Sequence, residues 1–325
     1  MAGPTITVAP MLHARYDSPA RRLLMGCLPT GRAGQSHLEP SKEQPSAMKS
    51  TLKRVVRAAV PNAIRRLAWE KMPRREQLAA LRLRSERNLL ATFGKTRRRA
   101  GGRILCYHSV GQSEFGVNDV DPARFRRHIE LTLNAGYRFV PASEIAITGG
   151  GAMDIAVTFD DGLKSVRTIA APILKAYNIP FTFFPVTEWA DRKHPWYQDR
   201  VLDWRDMESL ITDGAELGSH SARHPDFASI DPQRAIDELE ESRETIQQRL
   251  GFAPNMFAIP FGQSGNWPDG CAQAARRAGY EIIFAQAEET RPQGAVARTF
   301  VTRYDTDRIF RALLAGKYDR WEEWF

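Results

Sequence analysis

Two pairs of side chains in this sequence have the residue types and the spacing of a metal site. Asp160 and Asp161 follow the apolar segment 155–159 directly and precede a glycine. His220 and His224 lie four residues apart, again just after a short apolar segment. Adjacent carboxylates repel each other unless a cation lies between them, and two imidazoles at this spacing can reach one ion. The two pairs therefore indicate a shared site for a divalent metal.

A structural interpretation is the alternative for each pair. An Asp-Asp-Gly sequence after a strand is often a turn with solvated acids, and two histidines four apart can lie in an exposed turn. The presence of both pairs in one chain favours the shared site. Two imidazoles and one carboxylate leave positions open for water, so the site is predicted to be catalytic, with the other carboxylate accepting a proton from that water.

The elements that would position these residues alternate between strands and helices after residue 102. Strands are predicted at 103–108, 155–159, 181–184, 215–219, 256–259 and 282–285, and helices at 122–135, 166–177, 203–213, 231–250 and 271–278. Such alternation predicts an α/β fold with a parallel sheet. Sites in parallel barrels lie at the carboxyl ends of strands. His108 ends the first predicted strand, and the acidic pair, His220 and the segment 260–262 each follow a later one.

Three motifs resemble those of the polysaccharide deacetylases (NodB homology, carbohydrate esterase family 4) in their order and approximate spacing. They are Thr-Phe-Asp-Asp-Gly at 158–162, His-Ser-Ala-Arg-His-Pro at 220–225 and Pro-Phe-Gly at 260–262. Tyr-His-Ser-Val at 107–110 also resembles a motif of one branch of this family. The resemblance covers about residues 102–315 and implies a single NodB-type distorted (β/α) barrel.

The resemblance implies a role for each candidate residue. Asp161, His220 and His224 would bind the metal, and nitrogen and oxygen ligands suit Zn²⁺ or another divalent transition metal. Asp160 would act as general base, and the backbone N–H of Phe261 would stabilise the oxyanion.

Two residues that the family pattern usually carries are missing from this sequence. Ala258 stands where the family carries an arginine that orients the base, and we expect Arg298 or Arg303 to replace it. No histidine follows His224, although the family commonly uses a late histidine as general acid. His108 is the candidate acid, and a structural role that braces the metal site is its alternative.

The hydroxyl of Ser221 is predicted to order the turn between His220 and His224 through a local hydrogen bond.

The distribution of charge predicts the domain organisation. Residues 1–99 hold 21 Lys and Arg against 6 Asp and Glu, whereas residues 100–325 hold 25 against 32. We predict a disordered tail at 1–47, for which an over-long start site is an alternative. A basic helical extension and linker is predicted at 48–101, and the polysaccharide deacetylase-like domain at 102–325.

The apolar and basic residues of segment 50–68 are spaced as on opposite faces of one helix. Such a helix binds an anionic membrane surface or packs against its own domain, and both alternatives stay open. No nucleic acid is expected, because no nucleic-acid motif accompanies the basic residues. No secretory signal is evident, and no segment has the ~18 apolar residues that span a bilayer. We therefore predict a cytoplasmic protein, with peripheral attachment to the inner membrane as an option.

These observations predict a metal-dependent hydrolase that removes N-acetyl or other N-acyl groups from amino sugars. Its expected substrate is an N-acetylated oligo- or polysaccharide, such as a surface exopolysaccharide or its precursor. One alternative is deformylation or deacetylation of a lipid-linked sugar at the inner membrane face. Another is a non-catalytic pseudo-enzyme that binds sugar or metal during glycan assembly.

Overall fold

The computed structural model describes residues 75–192, 195–286 and 294–321. The chain divides into two compact units, and every described residue belongs to the second, Pro73–Phe325. The predicted tail at 1–47 and the predicted amphipathic helix at 50–68 lie outside the described residues.

The central feature is a parallel sheet that nearly closes into a barrel. The strands are β1 (Arg103–Tyr107), β2 (Ser109–Val110), β3 (Asp119–Val120), β4 (Arg138–Phe139), β5 (Asp154–Phe159), β6 (Phe181–Phe183), β7 (Glu216–Leu217), β8 (Met256–Ala258), β9 (Ile282–Gln286) and β10 (Val296–Phe300). The main sheet has the order β7-β6-β5-β1-β10-β9-β8, with β4 beside β5. A bridge between Ser219 and Phe257 joins the two outer strands. The predicted NodB-type (β/α) barrel is therefore confirmed.

Helices cover the outside of this sheet. They are α1 (Arg75–Phe93), α2 (Pro122–Asn134), α3 (Ala142–Thr148), α4 (Ala171–Ala176), α5 (Thr187–Ala190), α6 (Trp204–Thr212), α7 (Pro232–Leu250), α8 (Cys271–Ala278) and α9 (Asp307–Leu314). Because helices and the barrel interior cover both faces of the sheet, β1 and β5 are buried along their whole length. Within the described part of the chain, we find no helix with the length and apolar character that crossing a bilayer requires.

The helix ends follow from local sequence. The Asp231 carboxylate accepts hydrogen bonds from the backbone N–H groups of Gln233 and Arg234, and Pro232 occupies the first turn. The same helix ends at Gly251, whose φ of 81° is left-handed. The predicted helix at 166–177 starts instead with a π-helical turn, Val166–Ala170, before α4 begins. This irregularity precedes Pro172, which donates no backbone hydrogen bond.

Helix α1 lies in the segment predicted as extension and linker, and it packs against the barrel domain. The Arg87 guanidinium donates two hydrogen bonds of 2.5 Å to the buried Asp305 carboxylate. It also lies 4.7 Å from the ring centroid of Tyr318 and 4.9 Å from that of Trp321. These contacts explain why the compact unit begins at Pro73, whereas the sequence placed the start of the domain at residue 102.

His128 of α2 is a buried histidine outside the predicted site. Its Nε2 lies 2.8 Å from the Asp305 carbonyl oxygen, so Nε2 carries a proton and donates it. Its Nδ1 lies 3.2 Å from the Tyr107 hydroxyl, and in a neutral ring this nitrogen can accept a hydrogen bond from that hydroxyl. The ring also stacks on Phe310 with a centroid distance of 3.9 Å. Burial lowers the pKa of His128 to about 4, so the folded state favours the neutral ring.

We expect His128 to make the protein acid-sensitive. Because its pKa is lower when folded than when unfolded, its stabilising effect is complete above about pH 6.5 and declines as the pH falls toward 4. Urea denaturation at pH 7 and pH 4 should show that the wild type loses about 3 kcal/mol more free energy of unfolding than His128→Gln. Equal pH dependence in the two proteins would contradict this assignment.

Candidate metal centre

The candidate residues lie on loops that follow the strands at one end of the barrel. The backbone N–H of Asp160 continues the pairing of β5 with β1 by donating to the Tyr107 carbonyl at 3.0 Å. Four non-glycine residues near the site have positive φ angles: Asp161 (69°), Ser221 (69°), His224 (61°) and Phe261 (63°). Such backbone conformations are costly and tend to occur at functional sites.

Asp161, His220 and His224 bring three ligand atoms together, all within 4.8 Å of one another. The Asp161 Oδ1 atom lies 3.5 Å from Nε2 of each histidine. Donors at about 2.0–2.1 Å from one tetrahedral zinc would be separated by about 3.4 Å, so both distances from Asp161 to the histidines fit a metal ion. Oδ1 is also buried and makes no hydrogen bond with any described residue. An orphaned buried carboxylate oxygen facing two imidazoles favours a cation at this position.

Hydrogen bonds orient the ring of His220 and the turn that carries His224. The Nδ1 of His220 lies 2.8 Å from the Ala258 carbonyl oxygen, which can only accept, so Nδ1 carries the proton and Nε2 is free for a metal. Burial lowers the pKa of His220 to about 3 and also lowers that of His224. Both rings are therefore neutral, as metal ligands must be. The Ser221 hydroxyl accepts a 2.8 Å hydrogen bond from the His224 backbone N–H, which confirms the predicted local bond.

The two aspartates have opposite electrostatic environments. Burial raises the pKa of Asp161 to about 6, against the opposing effect of His108. Burial also acts to raise the pKa of Asp160, but the Arg298 guanidinium, His220 and His108 together outweigh it and hold the pKa of this carboxyl well below its usual range. Asp160 is therefore ionised at neutral pH, whereas Asp161 gains a proton more readily than an ordinary aspartate as the pH falls, and a bound cation would favour its charged form.

Arg298 of β10 is the arginine that contacts Asp160. Its NH1 and NH2 atoms donate to the two Asp160 oxygens at 2.6 and 2.7 Å, and the pair is buried. Of the two arginines that the sequence offered, Arg303 is instead exposed and donates to the Gly116 carbonyl. Arg298 thus supplies the ion pair that the missing arginine at Ala258 would make.

Sequence reasoning missed a further contact of Asp160. The Cys106 thiol lies 3.3 Å from Oδ2 of Asp160 and is fully buried. Burial raises the pKa of Cys106 well above its ordinary value, so the thiol is protonated and donates a weak hydrogen bond. The pairing of Cys106 with Thr158 across β1 and β5 places this side chain beside the acids, and that register could have revealed it.

The remaining candidates lie at the same end of the barrel. His108 is buried, its ring is edge-on to Phe300 at 5.4 Å, and its Nδ1 makes no hydrogen bond with any described residue. Phe261 is half-exposed, and its ring is 4.7 Å from that of His224. The backbone N–H of Phe261 donates to no described residue.

Aromatic side chains continue from the histidines toward solvent. Trp189 lies 5.6 Å from the ring of His224 and stacks on Tyr197 at 4.9 Å. Trp196 is exposed beside Tyr197. Trp267, in contrast, is buried in a separate apolar cluster. Trp189 is partly exposed and Trp196 is exposed, so both present aromatic surface to solvent in this region.

The buried ion pair predicts a difference between the two arginines. Arg298→Met would leave the Asp160 carboxylate buried without its partner, which typically costs about 3–5 kcal/mol. Arg303→Met removes an exposed side chain and should change the free energy of unfolding by less than about 0.5 kcal/mol. Urea denaturation of the two variants measures the difference. Equal losses would mean that the ion pair does not stabilise the fold.

Several known proteins are similar to this chain in sequence. Residues 149–283 match the polysaccharide deacetylase family. YxkH of Bacillus subtilis (strain 168) is 22% identical over 224 residues, which cover 66% of this chain and 76% of YxkH. The chitin deacetylase of Colletotrichum lindemuthianum is 28% identical over 130 residues, which cover 40% of this chain and 49% of that enzyme.

Solved structures show the same barrel. IcaB from Ammonifex degensii superposes with a TM-score of 0.56 at 24% identity, over 68% of this chain and 99% of IcaB. The Streptococcus pyogenes deacetylase PplD, in complex with acetate, gives a TM-score of 0.56 at 20% identity, over 65% of this chain and 96% of PplD. The barrel of this chain is therefore similar to those of the polysaccharide deacetylases, and residues 149–283 within it match the model of that family.

Proposed function

We propose that this protein hydrolyses N-acetyl groups from the amino sugars of a surface polysaccharide or its precursor, and that it requires a divalent metal, with zinc as the expected ion. The observation that carries the proposal is the pairing of a three-ligand cluster with a separate ionised carboxylate. Asp161 Oδ1 lies 3.5 Å from Nε2 of His220, while Arg298 binds both oxygens of Asp160. A site for binding alone has no need of the second carboxylate.

Asp161, His220 and His224 would hold the metal, whose chemical contribution is Lewis acidity that lowers the pKa of water toward about 7 and polarises the amide carbonyl. Asp160 would take the proton of the attacking water. Its Oδ2 lies 4.0 Å from His220 Nε2, so the base is next to the ligand cluster. Its ion pair with Arg298 favours the charged form that a base needs at neutral pH.

Two further groups would complete the reaction. The Phe261 N–H is free of described partners and would donate to the oxyanion of the tetrahedral intermediate. Collapse of that intermediate breaks the C–N bond and requires a proton on the leaving amine. His108, buried beside both aspartates, would supply this proton; its Nδ1 has no hydrogen bond to a described residue of the kind a bracing role would use.

Acetate release from an N-acetylated oligosaccharide tests the proposal. The full chain should release acetate when zinc is present and lose this activity after chelation, with recovery on addition of zinc. Binding of the sugar without release of acetate, whichever metal is added, would instead identify a non-catalytic binder.

The basic charge of residues 1–99 favours a second candidate substrate, a lipid-linked amino sugar at the cytoplasmic face of the inner membrane. Parallel assays on soluble and lipid-linked substrates compare the two.

A further inference from the structure

Helix α1 packs one face against the barrel domain, and large apolar side chains on its opposite face are exposed. On the inner face, Leu83, Arg87 and Ala91 are buried. Arg87 anchors this face through Asp305, and the Tyr318 hydroxyl donates to the Arg87 carbonyl. The helix is therefore fixed in its rotation about its own axis, which determines what its other face presents to the surroundings.

The outer face carries four large apolar side chains that are exposed. The exposed fractions are 50% for Leu78, 60% for Leu81, 57% for Leu89 and 79% for Phe93. At 3.6 residues per turn, these positions lie on one side of the helix, opposite Arg87. We call this set the outer stripe. A stripe of apolar side chains fixed outward by a docked helix indicates an interaction surface.

Exposed cations lie around the outer stripe. Residues 78–99 contain seven Lys and Arg and one acidic residue, Glu86, but three of the seven form ion pairs: Arg82 with Glu86, Arg87 with Asp305 and Arg99 with Asp319. Arg84, Lys95 and Arg98 are exposed. Arg308 of α9 donates to the side chains of Asn88 and Thr92 and so adds a further cation along one edge of α1.

We infer that the outer stripe of α1 binds an anionic membrane surface. The apolar side chains would enter the boundary of the acyl chains, and the exposed cations beside them would bind the phosphate headgroups. A second copy of the chain would bring its own arginines against these, and a nucleic acid would leave the leucines uncovered. This inference concerns α1 itself and does not depend on the deacetylase activity or on segment 50–68.

Sedimentation with vesicles tests the inference on the full chain. The vesicles contain phosphatidylcholine and phosphatidylglycerol in equal parts, with pure phosphatidylcholine vesicles as the reference. The double substitution Leu81→Glu/Phe93→Glu removes two exposed side chains of the outer stripe and should weaken binding to the anionic vesicles by about tenfold or more. The matched control is Ile147→Glu in α3, because Ile147 is 72% exposed and lies outside the stripe. The control should bind as the wild type does.

Several results would overturn the inference. Wild-type protein that does not sediment with the anionic vesicles excludes a membrane site. Unchanged binding by the double variant would assign membrane contact to another part of the chain, such as segment 50–68, which both proteins retain. If light scattering shows a wild-type dimer that the double variant loses, while vesicle binding is unchanged, the stripe is an interface between copies. An unaltered melting temperature and unaltered turnover on a soluble substrate show that the double variant is folded.

Discussion

Asp160→Asn is expected to lower turnover by about 10²–10⁴ while the protein keeps its metal, because the substitution removes the proposed general base and none of the proposed ligands. The Asp160 carboxylate is separate from the three-ligand cluster and is bound by Arg298 and Cys106. An asparagine of nearly the same shape retains an oxygen that can accept from Arg298. It cannot take a proton from water at neutral pH.

Metal content and turnover must be measured together for this variant. The ligand variants Asp161→Ala, His220→Ala and His224→Ala are the matched comparison, since each should lose metal and activity at once. Asp160→Asn also weakens the buried ion pair, so circular dichroism must confirm that the variant is folded at the assay temperature. A folded Asp160→Asn protein with wild-type turnover would show that Asp160 is not the base.

His108→Gln is expected to lower turnover by about 10²–10⁴ and to leave metal affinity unchanged, the effect of losing one general acid. The position of His108 favours this role: it is buried, it lies near both aspartates, and its Nδ1 is without a described partner. Glutamine retains hydrogen-bonding groups of similar reach. It cannot donate a proton to the leaving amine.

The control for His108→Gln is His128→Gln, which replaces another buried histidine outside the metal centre. In this control, the loss of stability that His128 causes at acid pH should be absent, and turnover should equal that of the wild type. Loss of metal in His108→Gln would identify His108 as a residue that braces the site, the alternative that the sequence left open. Full turnover with full metal content would remove His108 from the mechanism.

Local sequence determined the element boundaries that position the acids and histidines. The apolar run before Asp160 forms β5, and helix α8 lies between Gly270 and Gly279 as predicted. Such features depend on side-chain burial, capping and glycine conformations within a few residues. The predicted positions of the four strand ends were therefore sufficient to suggest that the aspartates and histidines share one site.

The sequence could not choose between Arg298 and Arg303 as the partner of Asp160. The contact joins residues 138 positions apart, and it exists because β10 lies next to β1 in the barrel. The role of Cys106 had the same origin, since pairing of β1 with β5 places its thiol beside the carboxylate.

The sequence by itself determined which residues are candidates to bind a metal, where strands and helices begin to within a few residues, and which family the motifs resemble. The tertiary structure decided which charges become buried. Arg87 and Arg298 look like the many exposed arginines of this basic chain, yet both are buried in ion pairs with distant aspartates. A buried ion pair is stable only when both partners are desolvated together, so its members become recognisable only after the barrel has brought the strands and helices into contact.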